Sequence, residues 1–206
     1  MKRKDINFLV VGVGGQGTIL SGDILSAVGM EAGYDVKKSD ILGLAIRGGS
    51  VVSHVRWGEV VGAPMSMKGT IHYLIAFEPL EALRGLGFLA PEGVVLLNTY
   101  AIPPVVVTTG ELKYPSWDEI EARLRERAEV VYGFNATEKA QSLGNVRTVN
   151  VILLGALSNL LDVPASLWEE TIKKYVPSKY EEINVKAFNI GQNLIKEEQK
   201  HENYGY

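Results

Sequence analysis

Apolar residues run unbroken from Ile6 to Val11 and end in glycines, the pattern of a strand buried on both faces of a parallel sheet. After Gly17 the period changes to three and four: Ile19, Leu20, Ile24, Leu25 and Val28 predict a helix from Thr18 to Ala32, stopped by Gly33. The chain therefore opens as strand, tight glycine turn and helix. A short strand is expected near Tyr34 to Ser39, then a loop through Arg47-Gly48-Gly49, then a Val-rich strand from Ser50 to Trp57. Gly58-Glu59 has hairpin-turn composition, so Val60-Val61 is expected to return as a paired strand.

Two further apolar runs, Tyr73 to Phe77 and Val94 to Leu97, are joined by a proline-initiated helix from Pro79 to Gly85, a second strand-helix-strand unit. Val105 to Thr108 and Val130 to Tyr132 complete the expected strands. Ser116-Trp117-Asp118-Glu119 is a capping box ahead of Ile120, Leu124 and Ala128 on one helical face, and Asn135-Ala136-Thr137-Glu138 and Ser166-Leu167-Trp168-Glu169 repeat that helix-start signature. Thr148 to Leu161 is apolar on more than one face, which calls for burial against the chain's own sheet or against another subunit. Tyr180, Ile183, Ala187, Ile190 and Leu194 form a one-sided helix that leads into a charged tail, 196–206. Both helices offer a surface for homodimerisation. The expected fold class is α/β: a Rossmann-like, mostly parallel sheet with flanking helices and a helical C-terminal segment, in one domain over residues 1–206.

Composition narrows the function. A net charge of -3, and Arg123, Arg125 and Arg127 interleaved with Glu121, Glu126 and Glu129, argue against nucleic acid as a partner. No apolar run approaches the roughly 18 residues of a membrane span, and Met1-Lys2-Arg3-Lys4-Asp5 leads straight into a strand, so a cytoplasmic location is expected. With no cysteine in 206 residues, the chain has no thiolate for an iron-sulfur cluster and no disulfide. His54, His72 and His201 are far apart and lack zinc-ligand spacing, so no metal site is expected.

Gly12-Val13-Gly14-Gly15-Gln16-Gly17 matches G-x-G-x-x-G between a buried strand and a helix, where glycines let backbone N–H groups approach a phosphate. A dinucleotide fold would also place an acid about 20 residues on to hold a ribose. Asp35 and Asp40 fall near that distance, yet Val36-Lys37-Lys38-Ser39 is too polar for a central parallel strand, and its lysines suit anions better than ribose. Arg47 between flexible neighbours could complete an anion site begun by the first loop, or be an ordinary surface arginine. Glu78 before Pro79 reads as a helix cap, and Asn98 at a strand end is a further polar candidate.

The glycine loop, the run Arg47-Gly48-Gly49-Ser50-Val51-Val52-Ser53-His54-Val55-Arg56 and the following Ala63-Pro64 together resemble the gamma-type catalytic domain of 2-oxoacid:ferredoxin oxidoreductases. Within that family the resemblance is strongest to the small beta subunits that act on indolepyruvate; Gly43-Leu44-Ala45-Ile46 departs from the polar stretch common there. The resemblance implies a non-autonomous enzyme subunit supporting oxidative decarboxylation of a 2-oxoacid to an acyl-CoA. It implies coenzyme A as co-substrate near Gly12, Gly14, Gly15, Gln16, Gly17, Arg47, Gly48 and Gly49. Thiamine diphosphate, magnesium and iron-sulfur clusters would reside on a larger partner that passes electrons to ferredoxin. Ser21-Gly22-Asp23 only echoes a thiamine diphosphate motif. The alternative is a stand-alone nucleotide- or flavin-binding Rossmann module.

Overall fold

The computed structural model describes residues 5–43 and 48–204, with side chains through Lys196. Its elements are β1 (Ile6–Val13), α1 (Thr18–Glu31), β2 (Asp35–Leu42), β3 (Ser50–Gly58), β4 (Ile71–Ala76), α2 (Pro79–Gly85), β5 (Leu89–Asn98), α3 (Val105–Thr108), α4 (Trp117–Arg125), β6 (Val130–Phe134), α5 (Ala136–Ser142), α6 (Val149–Ser158), α7 (Ala165–Tyr175) and α8 (Glu181–Tyr204). The strands form one sheet in the order β2-β3-β1-β4-β5-β6. β1, β4, β5 and β6 pair in parallel, while β3 is antiparallel to both β1 and β2, so β3 alone runs against the rest. The expected mostly parallel α/β sheet is the observed one.

The unbroken apolar run of β1 has the predicted cause, burial on both faces. Phe8 and Val10 join a core with Ile24, Leu25 and Val28 of α1 and with α6 and α8. Their alternate neighbours Leu9 and Val11 join a second core with Ala82 of α2 and Ile120 and Leu124 of α4. All ten residues of α6 are buried, and α8 turns Ala187, Phe188 and Ile195 onto the same core. Both surfaces proposed for homodimerisation are thereby used within the chain.

Several local expectations need correction. Val60-Val61 forms no returning strand: Val60 is exposed, and the Val61 N–H donates to Asp35 Oδ2 at 2.7 Å, so the segment after β3 folds around a side chain instead of pairing. Val105 to Thr108 is a single helical turn: the Pro104 carbonyl accepts from the Val107 and Thr108 N–H groups at 2.9 and 3.2 Å, so this β-branched run satisfies its backbone locally, and β6 takes the sheet position beside β5. Ser166 is no cap: α7 begins one residue earlier behind Pro164, with no side-chain cap. The tail from Lys196 continues α8 to Tyr204. No described helix is long and apolar enough to cross a membrane.

Candidate functional site

β1 hands the chain to α1 on one face of the sheet, and its neighbour β4 hands it to α2 on the other. The two connections part at the carboxyl ends of β1 and β4, and open α/β sheets bind ligands in the crevice at such a switch point.

The predicted glycine turn lies in that crevice. Gly12 is still in β1 opposite Val51, and a Cβ there would stand 2.7 Å from Thr18 Oγ1. Gly15 and Gly17 have φ of 102° and 84°, a region that disfavours side chains. A Cβ on Gly15 would meet nothing of the chain within 4 Å, so its bare backbone faces open space. The Gly14 N–H is already taken: it donates to Gly49 O at 2.9 Å, which joins the first glycine motif to the second. Beyond it, the N–H groups of Gly15, Gly17 and Thr18 find no acceptor among the described residues. Gly17 caps α1 without a side chain, leaving the helix start unmasked. Beside them the Thr18 hydroxyl is buried and has no hydrogen-bond partner among the described residues.

Two clefts meet at this turn. The larger, about 550 Å³, is lined by Gly14, Gly15, Thr18, Leu42, Gly43 and Val51. The smaller, about 130 Å³, is lined by Gly15, Gln16, Tyr100, Ile102, Thr137 and Arg147.

Gln16 braces the turn. Its Oε1 accepts from the Val13 N–H at 2.8 Å and its Nε2 donates to Phe77 O at 3.0 Å, tying the end of β1 to the end of β4. Asn98, at the end of β5, donates to the same Phe77 carbonyl and to Thr137 Oγ1, both at 3.0 Å. Neither amide is an idle ligand-binding group. Glu78 is the predicted cap of α2: its Oε2 accepts from the N–H groups of Leu80 at 2.7 Å and Glu81 at 3.1 Å, and its Oε1 accepts from the Ile102 N–H and from the Tyr114 hydroxyl. Burial, and then that carboxylate, push the Tyr114 hydroxyl far above the ordinary tyrosine range, so it remains a donor. Glu81, also buried, accepts from Ser50 Oγ at 2.5 Å and pairs with Arg84, anchoring the residue that follows Gly49.

Arg47 lies outside the described residues. Gly48 has a φ of 71° and Gly49 contributes its carbonyl to Gly14, so the two predicted glycine segments do come together. The ribose-binding acids do not materialise. Asp35 pairs with Lys37 and Asp40 with Lys38, on a strand separated from β1 by β3. A cation the sequence reading missed stands at the site instead. Arg147 is exposed, lines the smaller cleft together with Gly15 and Gln16, and makes no ion pair among the described residues. Its only sequence signal is an arginine just before a largely apolar helix.

Residues 7–194 match the model of the pyruvate ferredoxin/flavodoxin oxidoreductase family. The chain is 41% identical over 190 residues to indolepyruvate oxidoreductase subunit IorB of Archaeoglobus fulgidus, covering 91% of this chain and 94% of that one. It is 38% identical over 197 residues to the subunit of the same name from Pyrococcus horikoshii, covering 94% and 98%. Among solved structures it is similar to the gamma subunit of a keto/oxoacid ferredoxin oxidoreductase from Geobacter sulfurreducens, with a TM-score of 0.66, 25% identity and coverage of 94% and 98%. The fold also recurs in 2-oxoglutarate:ferredoxin oxidoreductase from Magnetococcus marinus, solved with 2-oxoglutarate, coenzyme A and succinyl-CoA bound. There the TM-score is 0.73 and the identity 22%, with 95% of this chain matching 32% of that one.

Proposed function

We propose that this chain, which belongs to the pyruvate ferredoxin/flavodoxin oxidoreductase family, is the small subunit of an indolepyruvate-type 2-oxoacid:ferredoxin oxidoreductase and supplies the phosphate-binding wall of its coenzyme A site. The observation that carries this reading is the row of unclaimed N–H groups at Gly15, Gly17 and Thr18, at an unmasked helix start beside the buried, unpartnered Thr18 hydroxyl. Such a row favours a diphosphate through direct hydrogen bonds and the helix dipole, and it costs no reorganisation because Gln16 and Gly49 already fix the turn.

Bare backbone at Gly15 lets a phosphate approach closely, and the clefts on either side leave room for the rest of an extended ligand. Arg147 supplies the side-chain counter-charge on the smaller cleft. The chain has no cysteine, so the thiolates of an iron-sulfur cluster belong to a larger partner subunit, and thiamine diphosphate with its magnesium is assigned there too. That partner carries out decarboxylation and passes electrons to ferredoxin, while this chain holds the acyl acceptor.

Gly15→Val in the reconstituted complex tests the reading. A β-branched residue at this φ costs about 1–3 kcal/mol of stability, and its side chain would fill the ligand's space. The expected result is a folded complex that still releases carbon dioxide from the oxoacid in a single turnover but has lost coenzyme A affinity. Unchanged coenzyme A affinity would leave the turn with a structural role alone.

A further inference from the structure

We infer that two copies of this chain join edge to edge through β2, continuing the sheet across a two-fold axis at Ser39. β2 is the outermost strand of the sheet. It pairs with β3 in one continuous register, Asp35 opposite Gly58 through Leu42 opposite Val51, and just beyond it the Gly43 N–H donates to Ser50 O at 3.0 Å. Hydrogen-bonded pairs alternate along an antiparallel ladder, so the odd-numbered residues of β2 exchange bonds with β3. Val36, Lys38, Asp40 and Leu42 therefore turn their N–H and C=O groups outward.

Such an edge is a template for another strand, and folded proteins usually blunt it with charges. Here the charges select one partner. A two-fold axis normal to the sheet keeps every side chain on its own face, so even-numbered residues meet even-numbered residues. Three central registers are available. One sets Lys38 opposite Lys38 of the second copy and another sets Asp40 opposite Asp40, each placing like charges together. The third puts Ser39 on the axis and sets Lys38 opposite the second copy's Asp40 twice over.

That same register lays Val36 against Leu42 of the second copy, twice, and Leu42 is 60% exposed in the single chain. Lys38 already bonds Asp23 at 2.8 Å and Asp40 at 2.6 Å, and an ammonium has a third proton left for the second copy's carboxylate. Burial pulls its pKa down, but the two carboxylates outweigh that and hold it above the ordinary lysine value, so the charge persists. Since α6 and the apolar face of α8 are consumed inside the chain, the β2 edge offers a self-complementary surface that they do not.

A cysteine-free chain makes the register testable. Across the proposed axis the two Ser39 residues form a non-hydrogen-bonded pair with Cα atoms about 4.5 Å apart, within disulfide reach. Light scattering of the unaltered chain should give twice the chain mass. Ser39→Cys should oxidise to a covalent dimer on a non-reducing gel. Lys37→Cys and Ile41→Cys alone should not, because each is offset from its own copy by roughly 13 Å along the strands. Mixing those two variants should restore the cross-link. Asp40→Lys, which sets lysines opposite one another, should weaken dimerisation at least tenfold.

A monomeric chain, a dimer in which Ser39→Cys links no better than Lys37→Cys, or cross-linking of Ser39→Cys to the larger subunit in the complex would each overturn the inference. None of these results bears on coenzyme A binding, so the two readings fail separately.

Discussion

Gly155 of α6 and Gly191 of α8 are reciprocal contact points: a Cβ on Gly155 would stand 2.1 Å from the Phe188 carbonyl oxygen, and one on Gly191 would stand 1.9 Å from that of Ile152. Each helix backbone occupies the space the other's side chain would need, and each glycine lies three residues after the carbonyl its counterpart presses. Backbone cannot swing aside as a flexible side chain can, so an added methyl must separate the helices. Glycine is otherwise a poor helix residue, costing about 1 kcal/mol against alanine at exposed positions. Here the sign reverses. Gly191→Ala or Gly155→Ala should destabilise the chain by about 1–3 kcal/mol, while the same change at Gly87, where a Cβ meets nothing, should be nearly neutral. Urea unfolding of the three variants checks this, and equal midpoints would show that the two helices can shift apart freely.

Those glycines also show where the sequence ran out. Periodicity marked Thr148 to Leu161 as apolar on more than one face and Tyr180 to Leu194 as a one-sided helix, where the structure has helices at Val149–Ser158 and Glu181–Tyr204. What it packs against depends on two small residues more than thirty positions apart, and hydrophobic spacing carries no record of such a pairing. Val105 to Thr108 failed for a related reason. β-branched composition favours a strand only in a suitable context, and here local bonds to the Pro104 carbonyl close a helical turn instead.

The site was half legible. The two glycine motifs announced backbone that must approach something closely, and the Gly14 to Gly49 bond brings them together. That one of those amides is spent on the bond depends on Gly49, and that Gln16 is a brace between β1 and β4 depends on Phe77, sixty-one residues away. Arg147 carried no local signal, because its role depends on a turn that brings it beside Gly15.

His54 makes stability depend on pH. It is fully buried in β3, stacks edge-on against Phe88 at 5.4 Å and accepts weakly from the Ser66 N–H through Nδ1. Burial lowers its pKa below the ordinary value of 6.5. The unfolded chain therefore binds a proton as pH falls through 6.5, while the folded chain resists it. Stability is full above that pH and declines below it, with a slope of at most about 1.4 kcal/mol per pH unit for one proton. Thermal unfolding between pH 8 and 5.5 should show the decline. His54→Leu should flatten it even if it alters stability at pH 8, and an unchanged slope would assign the effect to another group.

Arg147 is predicted to be the counter-charge for the acyl acceptor. Its backbone N–H donates to Asn145 Oδ1 at 3.1 Å, so the turn that carries it is fixed while the guanidinium remains unpaired among the described residues. It borders the smaller cleft beside Gly15 and also an adjoining one of about 230 Å³ with Asn150 and Tyr180, a position from which it could follow an anionic ligand along the crevice. Removing a charge-assisted contact to phosphate costs about 1.5–3 kcal/mol, or roughly one to two powers of ten in affinity. Arg147→Ala in the complex should raise the coenzyme A requirement by that order and leave first-turnover carbon dioxide release from the oxoacid intact, since decarboxylation is assigned to the partner subunit. Arg147→Lys should recover part of the loss, as an ammonium keeps the charge without the planar fork. Arg47→Ala belongs in the same assay, because its neighbours Gly43 and Gly48-Gly49 border the larger cleft and the first turn. Measuring acyl-CoA formation in turnover and carbon dioxide release in a single turnover without coenzyme A decides between the roles. Loss of both in equal measure would make Arg147 a docking residue for the partner, and a coenzyme A dependence that moves only with Arg47 would place the counter-charge on the larger cleft.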